Sequence, residues 1–284
     1  MTSTWTIGER TLDTGGRPLV MGVLNVTPDS FSDGGRFLEP DAAVAQARSM
    51  ISTGADLLDV GGESTRPGAD DIPDDEQIRR VVPVIRAIAA ESDVPVSIDT
   101  RSAVVARAAV EAGAVIVNDV SALRHDPEMP ASCAAMSCGV VLMHMRGTPH
   151  DMRERTGYDD VLAEVVSELR EALDAAVAAG IARDRIAVDP GIGFAKTSAQ
   201  SYALVAGLEA LAVLERPVLL GVSRKSFLGE VLDVPPEKRT MGTAAAVTAG
   251  VLAGAGILRV HDVAEMAQVV AVATAIRDAR KGAN

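Results

Sequence analysis

The sequence predicts an α/β protein, a (β/α)8 TIM barrel. Two features predict it: the alternation of predicted strands and helices, and the composition. Short apolar runs alternate with amphipathic helical segments eight times along the 284 residues. Hydrophobic residues make up 48% of the chain but aromatic residues only 2%, so the predicted core consists of Val, Ile, Leu and Ala. Such a core is typical of buried parallel strands covered by helices. No linker-like stretch divides the chain, and we expect one domain over residues 1–284.

Eight apolar runs, each followed by a polar loop, are the predicted barrel strands. They cover residues 20–24, 56–60, 94–98, 114–117, 139–143, 185–188, 217–222 and 256–260. The predicted helices cover residues 41–53, 74–91, 102–112, 127–137, 159–180, 199–214, 237–254 and 262–280. A doubly wound sheet is the alternative, but it would have fewer strands and a glycine-rich turn after the first strand. The pattern therefore favours the barrel.

Residues at the ends of several helical segments support these boundaries. Gly54, Gly113 and Gly180 follow periodic segments, and glycine commonly follows the last residue of a helix because it tolerates a left-handed backbone. Asp74 and Ser102 stand where helical segments begin, and short polar side chains at that position cap the first backbone N–H groups. We therefore predict these two residues as N-caps.

The N-terminus, the cysteines and the net charge indicate the class of protein. Residues 1–18 form an N-terminal extension, predicted as a short hairpin or lid with a turn near Gly15 and Gly16. The extension lacks the apolar centre of a secretory signal, and no apolar run approaches the roughly 20 residues of a membrane span. Cys133 and Cys138 lack zinc-site spacing and are predicted to be reduced core residues. The net charge of −12 argues against nucleic-acid binding, and we expect a soluble, cytoplasmic protein.

Polar side chains stand at or just after the end of every predicted barrel strand. In chain order these residues are Asn25, Asp59 with Glu63, Asp99, Asn118, His144, Asp189, Lys225, and Arg259 with His261. In a (β/α)8 barrel the carboxyl ends of the strands meet at one rim, and the active site forms there. The sequence therefore predicts one polar site built from successive strand ends.

The chemistry of these residues divides into two groups. Asp99, Asn118 and Asp189 are suited to a flat heterocycle with an amino-substituted amidine edge, since a carboxylate accepts two parallel N–H bonds from it. Lys225 adds a cationic donor for a ring carbonyl or ring nitrogen.

The second group offers positive charge and donors that suit a phosphate or diphosphate. It consists of Asn25, Arg66, Arg259 and His261. The alternative for Arg66 is a solvated loop charge. This group predicts an anion site beside the heterocycle.

Several residues near the predicted site have two interpretations. His144 is either a ligand residue or a core histidine with satisfied hydrogen bonds, and Arg224 is either an ion-pair partner or a ligand contact. Asp59 and Glu63 are expected to orient other side chains. Metal-dependent amidohydrolase chemistry would need paired histidines at the first strand, where this chain has Asn25.

Eight motifs, in this order along the chain, resemble those of the dihydropteroate synthases. They are MGVLNVTPDSFSDGG (21–35), DVGGESTRPGA (59–69), VSIDT (96–100), VND (117–119), LMHMRG (142–147), DPGIGFAK (189–196), GVSRKSFLG (221–229) and RVHDV (259–263). The resemblance covers roughly residues 19 to 275. Ala122 stands where many members of that family have glycine.

The resemblance implies an enzyme of folate biosynthesis. Its reaction joins 6-hydroxymethyl-7,8-dihydropterin pyrophosphate to 4-aminobenzoate and gives 7,8-dihydropteroate and pyrophosphate, by a dissociative loss of pyrophosphate assisted by Mg²⁺. The resemblance also implies a homodimer. A pterin-binding methyltransferase barrel is one alternative, but it would not need the TPDSFSDGG and SRKSF segments. A non-catalytic relative is the other, but it would be expected to lack some of the diphosphate residues.

The resemblance also implies a role for each motif residue. The implied pterin clamp is Asp99, Asn118, Asp189 and Lys225. The implied pyrophosphate site is Asn25, Arg66, Arg259 and His261, with Asn25 as the Mg²⁺ ligand. The implied catalytic set is Asn25, Asp99, Lys225, Arg259 and His261. The implied aminobenzoate pocket is Thr65, Pro67, Phe194, Lys225 and Ser226, and Phe31 and Asp33 lie on a loop implied to close over both substrates.

Overall fold

The computed structural model describes residues 4–26, 39–63 and 72–282. The strands are Thr4–Ile7 (β1), Arg10–Asp13 (β2), Leu19–Asn25 (β3), Leu57–Gly61 (β4), Val96–Asp99 (β5), Ile116–Asp119 (β6), Gly139–Met143 (β7), Ile186–Asp189 (β8), Leu219–Gly221 (β9) and Ile257–Val260 (β10). The α-helices are Glu39–Ser52 (α1), Asp74–Glu91 (α2), Ala103–Glu111 (α3), Met129–Met136 (α4), Val161–Ala178 (α5), Ser198–Ala206 (α6), Ser226–Leu232 (α7), Thr240–Leu252 (α8) and Val263–Gly282 (α9).

Strands β3 to β10 form the parallel (β/α)8 barrel that the sequence predicts. Strands that follow one another in the chain lie side by side, and β10 pairs back with β3, placing Ile257 opposite Leu19. A parallel bridge between Val188 and Val218 joins β8 to β9 and closes the ring. The carboxyl ends of all eight strands therefore meet at one rim.

The main core lies between the barrel and its helices. Strand residues Leu58, Val60 and Ile98 are fully buried and share one apolar cluster with helix residues Val81 and Ile85. This burial of mainly aliphatic side chains stabilises the fold. No helix in the described part of the chain is long and apolar enough to cross a bilayer.

The predicted hairpin is confirmed, but it does not cover the rim where the strands end. Strands β1 and β2 pair antiparallel, and Trp5 and Ile7 are fully buried against residues near the N-terminal ends of the barrel strands. Those residues are Met21, Leu57, Ile116, Val141, Ala187, Leu219 and Ile257. The Trp5 indole N–H donates to the Arg185 carbonyl at 2.8 Å. The hairpin therefore plugs the bottom of the barrel.

The predicted position of the hairpin turn was wrong. The turn joins β1 to β2 at Gly8, whose φ of +55° favours glycine. Gly15 and Gly16 instead donate their backbone N–H groups to Asp13 Oδ1, at 2.9 and 3.3 Å. They form a separate side-chain-stabilised turn between the hairpin and β3.

Two predicted helices were also wrong in part. The segment 199–214 is α6 followed by a 3₁₀ helix over Leu208–Leu214, divided at Gly207, where an added Cβ would lie 2.7 Å from Leu162 Cδ1. The segment 237–254 begins in a 3₁₀ helix over Pro236–Lys238 and continues as α8, and the prediction missed α7 before it. With seven residues, α7 is too short for a periodic apolar pattern to reveal it.

Most of the predicted helix ends are confirmed. Three C-terminal glycines have left-handed backbones: Gly54 (φ +111°), Gly113 (+118°) and Gly180 (+99°). Ser102 is the N-cap of α3, and its side chain accepts from the Val105 N–H at 3.3 Å. Asp74 is not an N-cap, because Pro73 takes that position and Asp74 lies in the first turn of α2. There its negative charge faces the positive end of the helix dipole. Cys133 and Cys138 are free and buried, as predicted.

Candidate active site

A cavity lies at the carboxyl ends of the barrel strands. Its lining residues are Asp99, Asn118, Val120, Met143, Asp189, Phe194, Gly221, Lys225 and Arg259. The four residues of the predicted clamp are all in this set. Asp99 and Asp189 are the last residues of β5 and β8, Asn118 lies one residue before the end of β6, and Lys225 immediately precedes α7. The sequence analysis missed the apolar lining of Val120 and Met143, although Met143 lies within one of its motifs.

A buried network of charges forms one wall of the cavity. Arg259 donates from Nε to Asp59 Oδ2 at 2.6 Å and from Nη2 to Asp99 Oδ2 at 2.7 Å. The Asn118 side-chain amide donates to the same Asp59 oxygen at 3.0 Å. Asp59 is fully buried, and its hydrogen bonds hold two cavity residues, Asn118 and Arg259, in place. This agrees with the orienting role expected of Asp59. Oδ1 of both Asp59 and Asp99 accepts no hydrogen bond from the described residues.

Burial shifts the pKa values of the charged residues in and around this network. Burial raises the pKa of Asp99 to about 7, although the Arg259 charge opposes the shift. Burial also raises the pKa of Asp189, and the Lys225 charge opposes that shift. The pKa of Lys225 is lowered to about 8, again by burial. Burial alone would lower the pKa of Arg259, but Asp59 and Asp99 outweigh it and raise that pKa.

Asp189 and Lys225 face each other across a space that Gly221 leaves open. A Cβ added to Gly221 would lie 3.7 Å from Lys225 Nζ and 3.9 Å from Asp189 Oδ2. The other oxygen of Asp189, Oδ1, accepts from the Gly191 N–H at 2.7 Å. Lys225 Nζ donates to the Ile192 carbonyl and lies 4.8 Å from the centre of the Phe194 ring. The carboxylate and the ammonium therefore both present polar atoms to the cavity.

Asn25 and His261 lie at the same rim, but neither is among the residues that line the cavity. Asn25 is the last residue of β3. A Cβ added to Gly61 would lie 3.6 Å from Asn25 Oδ1 and 3.7 Å from Asp99 Cβ, so Gly61 separates the amide oxygen from Asp99. His261 immediately follows β10, and its Nδ1 lies 3.0 Å from Ser223 Oγ.

The two residues with two interpretations are resolved by their contacts. Arg224 forms an ion pair with Asp262, so it is an ion-pair partner. His144 is buried, with Nε2 at 3.0 Å from Glu168 and Nδ1 at 2.9 Å from Lys196. Burial, with the Lys196 charge, lowers the pKa of His144 to about 3, so the ring is neutral. His144 is therefore a core histidine with both ring nitrogens bonded.

The remaining predicted residues are only partly described. Ser226 is exposed and is the first residue of α7. Thr65, Arg66, Pro67, Phe31 and Asp33 lie outside the described residues. Glu63 accepts from the Ile72 N–H at 3.1 Å and from Arg101 Nη2 at 3.2 Å. The Glu63 side chain therefore bonds to Ile72, and these are the two described residues that flank positions 64–71.

Comparison with known proteins gives the class to which this barrel and its polar cavity belong. Residues 21–261 match the family model of the pterin binding enzymes. The matched range begins within β3 and ends just after β10, so it includes every strand of the barrel.

Individual relatives place the chain within that class. Dihydropteroate synthase from Synechocystis is 45% identical over 271 residues, which cover 95% of this chain and 94% of that protein. The structure of Xanthomonas albilineans dihydropteroate synthase with 4-aminobenzoic acid is 45% identical, with a TM-score of 0.91 and coverage of 98% and 99%. A second structure of that enzyme, with 7,8-dihydropteroate, is 42% identical, with a TM-score of 0.87 and coverage of 96% and 98%. The chain belongs to the dihydropteroate synthase family.

Proposed function

We propose that the chain condenses 6-hydroxymethyl-7,8-dihydropterin pyrophosphate with 4-aminobenzoate, giving 7,8-dihydropteroate and pyrophosphate. Membership of the dihydropteroate synthase family supports the reaction. The observation that carries the proposal is the convergence of Asp99, Asn118, Asp189 and Lys225 on one cavity. Relatives bind 4-aminobenzoic acid and 7,8-dihydropteroate, the second substrate and the product of this reaction.

The pterin ring is proposed to lie in the cavity between the clamp residues. Asp189 Oδ2 accepts N–H groups from the amino-substituted edge of the ring, because Oδ1 is already bonded to Gly191. Lys225 donates to a ring carbonyl or ring nitrogen on the same side. Asp99 and Asn118, held by Arg259 and Asp59, contact the ring from their own strands. Val120 and Met143 offer apolar surface to its faces.

The diphosphate is proposed to lie near Asn25, Arg259 and His261. Arg259 uses Nε and Nη2 for the two aspartates, and its Nη1 carries two further N–H groups that can donate to a diphosphate oxygen. Arg66 is proposed to join them. A bidentate contact from Arg259 would require it to turn away from Asp59 or Asp99.

Magnesium is proposed as the cofactor, with Asn25 as its protein ligand. Among the described residues, no group of three or more His, Cys, Asp or Glu side chains could hold a metal ion. However, Mg²⁺ keeps several waters and usually binds through one or two protein oxygens together with substrate phosphates. The Asn25 amide oxygen, on the last residue of β3 at the rim, fits that requirement. When bound, the ion would neutralise charge on the departing diphosphate.

The proposed chemistry requires no side-chain nucleophile. The bond between the exocyclic carbon of the pterin and the diphosphate oxygen breaks, and the electron-rich dihydropterin stabilises the positive charge that develops on that carbon. The aminobenzoate nitrogen then bonds to the carbon and loses one proton. The chain holds the ring, orients the amine and excludes water. Asp99 is proposed as a catalytic residue because its carboxylate would lie close to the developing cation. Lys225 is proposed as one because its ammonium would donate a hydrogen bond to the ring.

The aminobenzoate is proposed to bind beside Phe194, Lys225 and Ser226. The Phe194 ring lines the cavity next to the Lys225 ammonium and offers an apolar face to the benzene ring. Ser226, exposed at the start of α7, is proposed to bind the carboxylate. Thr65 and Pro67 are proposed to complete the pocket, with Phe31 and Asp33 on the closing loop.

A homodimer is proposed through α7, α8 and α9. Helix α8 packs against both of the others, and this face exposes Val231 (70%), Met241 (80%) and Val272 (62%). Large exposed apolar side chains on neighbouring elements are typical of protein–protein contacts. Sedimentation velocity tests this surface: we expect a dimer that Met241→Glu converts to monomer, and a monomeric native chain would exclude it.

The proposed function is tested by measuring pyrophosphate release from the purified protein with each substrate alone and with both. We expect release only when Mg²⁺, the dihydropterin diphosphate and 4-aminobenzoate are all present, together with formation of 7,8-dihydropteroate. Binding of both substrates without turnover would favour a non-catalytic relative. Absence of binding would exclude the proposal.

A further inference from the structure

Lys196 lies behind the cavity, in a buried hydrogen-bond network that the proposed reaction does not use. Only 8% of the residue is exposed. Its ammonium lies 2.9 Å from His144 Nδ1 and 2.9 Å from the Phe194 carbonyl, with the His144 carbonyl at 3.4 Å. An ammonium has three N–H donors, and here each has an acceptor. The side chain is therefore fixed to two different segments of the rim.

Hydrogen bonds through His144 and Glu168 connect Lys196 to helix α5. Because the Glu168 carboxylate can only accept, the His144 ring proton lies on Nε2, and Nδ1 accepts from Lys196. Nε2 then donates to Glu168 at 3.0 Å. Glu168 also accepts from Arg146 Nε at 2.9 Å. Lys196 is thus the inner end of a chain of charge-assisted hydrogen bonds that begins on α5.

Lys196 stabilises residues 190–195, a segment that belongs to no strand of the barrel. Three of its residues have left-handed backbones: Gly191 (φ +66°), Gly193 (+80°) and Ala195 (+49°). For alanine this conformation is strained, because its Cβ crowds the backbone. The segment is held from one side by Lys225, which donates to the Ile192 carbonyl, and from the other by Lys196, which donates to the Phe194 carbonyl. Two lysines therefore maintain a strained turn.

We propose that Lys196 is a positioning residue that sets the affinity for 4-aminobenzoate, by holding the Phe194 backbone so that its ring stays beside Lys225. The proposal rests on the proposed function, because it takes Phe194 as a wall of the aminobenzoate pocket. It predicts a selective effect. Asp99, Asn118 and Asp189 are fixed by strands β5, β6 and β8, whereas Phe194 depends on the conformation of the segment.

The test compares Lys196→Met with Lys238→Met, the same substitution at an exposed lysine. In Lys196→Met we expect the KM for 4-aminobenzoate to rise about tenfold, as for the loss of one hydrogen bond to a charged group. We expect the KM for the pterin substrate to stay within about twofold and kcat within about threefold. Lys238→Met should match the native protein. Equal increases in both KM values, or no change in either, would overturn the proposal.

A second pair of variants leaves Lys196 in place, so that the test survives if Lys196→Met fails to fold. His144→Asn keeps an oxygen acceptor near the position of Nδ1, whereas His144→Leu removes it. We expect His144→Leu to raise the KM for 4-aminobenzoate as Lys196→Met does. His144→Asn should keep that KM within about threefold of the native value. The same KM in both variants would contradict the proposed hydrogen bond.

A readout that needs no activity separates this proposal from the proposed function. The sequence has four phenylalanines, at positions 31, 37, 194 and 227, so 4-fluorophenylalanine gives a simple ¹⁹F NMR spectrum. Phe194→Leu assigns the Phe194 signal. In Lys196→Met that signal should shift or broaden while the Phe227 signal stays unchanged. An unchanged Phe194 signal overturns the positioning role, whereas a native protein that forms no dihydropteroate overturns the proposed function.

Discussion

The two ends of the barrel are filled in opposite ways. At the N-terminal end, Trp5 and Ile7 pack on a wholly apolar cluster in which every buried side chain is fully enclosed. At the carboxyl end, Asp59 and Asp99 are buried in their place and bonded to the partly buried Arg259, and two carboxylate oxygens accept no hydrogen bond from the described residues. Buried charges of this kind are unfavourable for folding unless they are fully paired.

The N-terminal end of the barrel therefore supplies stability, and the carboxyl end supplies chemistry. Apolar burial at the bottom contributes to the free energy of unfolding. The rim gives up part of that stability, because polar atoms aimed into a cavity can bind a ligand only if the protein leaves them unsatisfied. Substitutions at the two ends should therefore affect different measurements.

Trp5→Ala should have the largest effect on stability. It removes a fully buried indole and its hydrogen bond to the Arg185 carbonyl, and should lower the free energy of unfolding by about 3–5 kcal/mol. Urea denaturation measures this loss, with Trp5→Phe as the milder control. Below the unfolding temperature, kcat/KM should stay within about twofold. A large loss of kcat/KM in folded protein would contradict the assignment of stability to one end of the barrel and chemistry to the other.

Lys225→Met should have the opposite signature. Loss of the ammonium removes a donor from the cavity, and kcat/KM should fall by about 100-fold or more. The melting temperature should fall less than in Trp5→Ala, because the loss of the bond to the Ile192 carbonyl and of the positive charge beside Asp189 is partly offset when an apolar chain replaces a partly buried ammonium. Calorimetric melting and steady-state kinetics measure both quantities. A variant with native kinetics would remove Lys225 from the site.

The pH dependence of kcat/KM should follow the buried charges of the rim. Asp99, with a pKa of about 7, must be ionised to accept hydrogen bonds, so activity should rise as the pH increases through 7. Lys225, with a pKa of about 8, must be protonated to donate, so activity should fall above pH 8. Lys225→Arg should move the alkaline limb upward, because arginine stays charged. A flat profile between pH 6 and 9 would contradict these assignments.

Ser102→Ala should have the smallest effect. Loss of the N-cap bond to the Val105 N–H should lower the free energy of unfolding by about 1 kcal/mol. Kinetics should be unchanged, because α3 lies outside the barrel. Urea denaturation gives the difference, and Ser102→Asp, which keeps a capping oxygen, should recover most of it. No difference between the alanine variant and the native protein would show that the cap contributes little.

The sequence predicted the barrel and the residues at its rim well, because strand ends and rim positions follow from local apolar patterns. It could not resolve His144, whose partners Glu168 and Lys196 lie 24 and 52 residues away on other elements. Nor could it show that Arg259 bonds two aspartates. Ala122 has a φ of +52°, a conformation that favours glycine. The assignment of residues 1–284 to one domain stays a prediction.

The central claim is that the polar cavity at the carboxyl rim binds the pterin substrate. Isothermal titration calorimetry of the dihydropterin diphosphate against native protein and Asp189→Asn tests it most directly. Asp189 Oδ2 faces the space that Gly221 leaves open, and its negative charge should bind the amino-substituted edge of the ring. We predict binding to the native protein that is about 100-fold weaker in the variant, with the melting temperature maintained. Equal affinity for both proteins would contradict the claim.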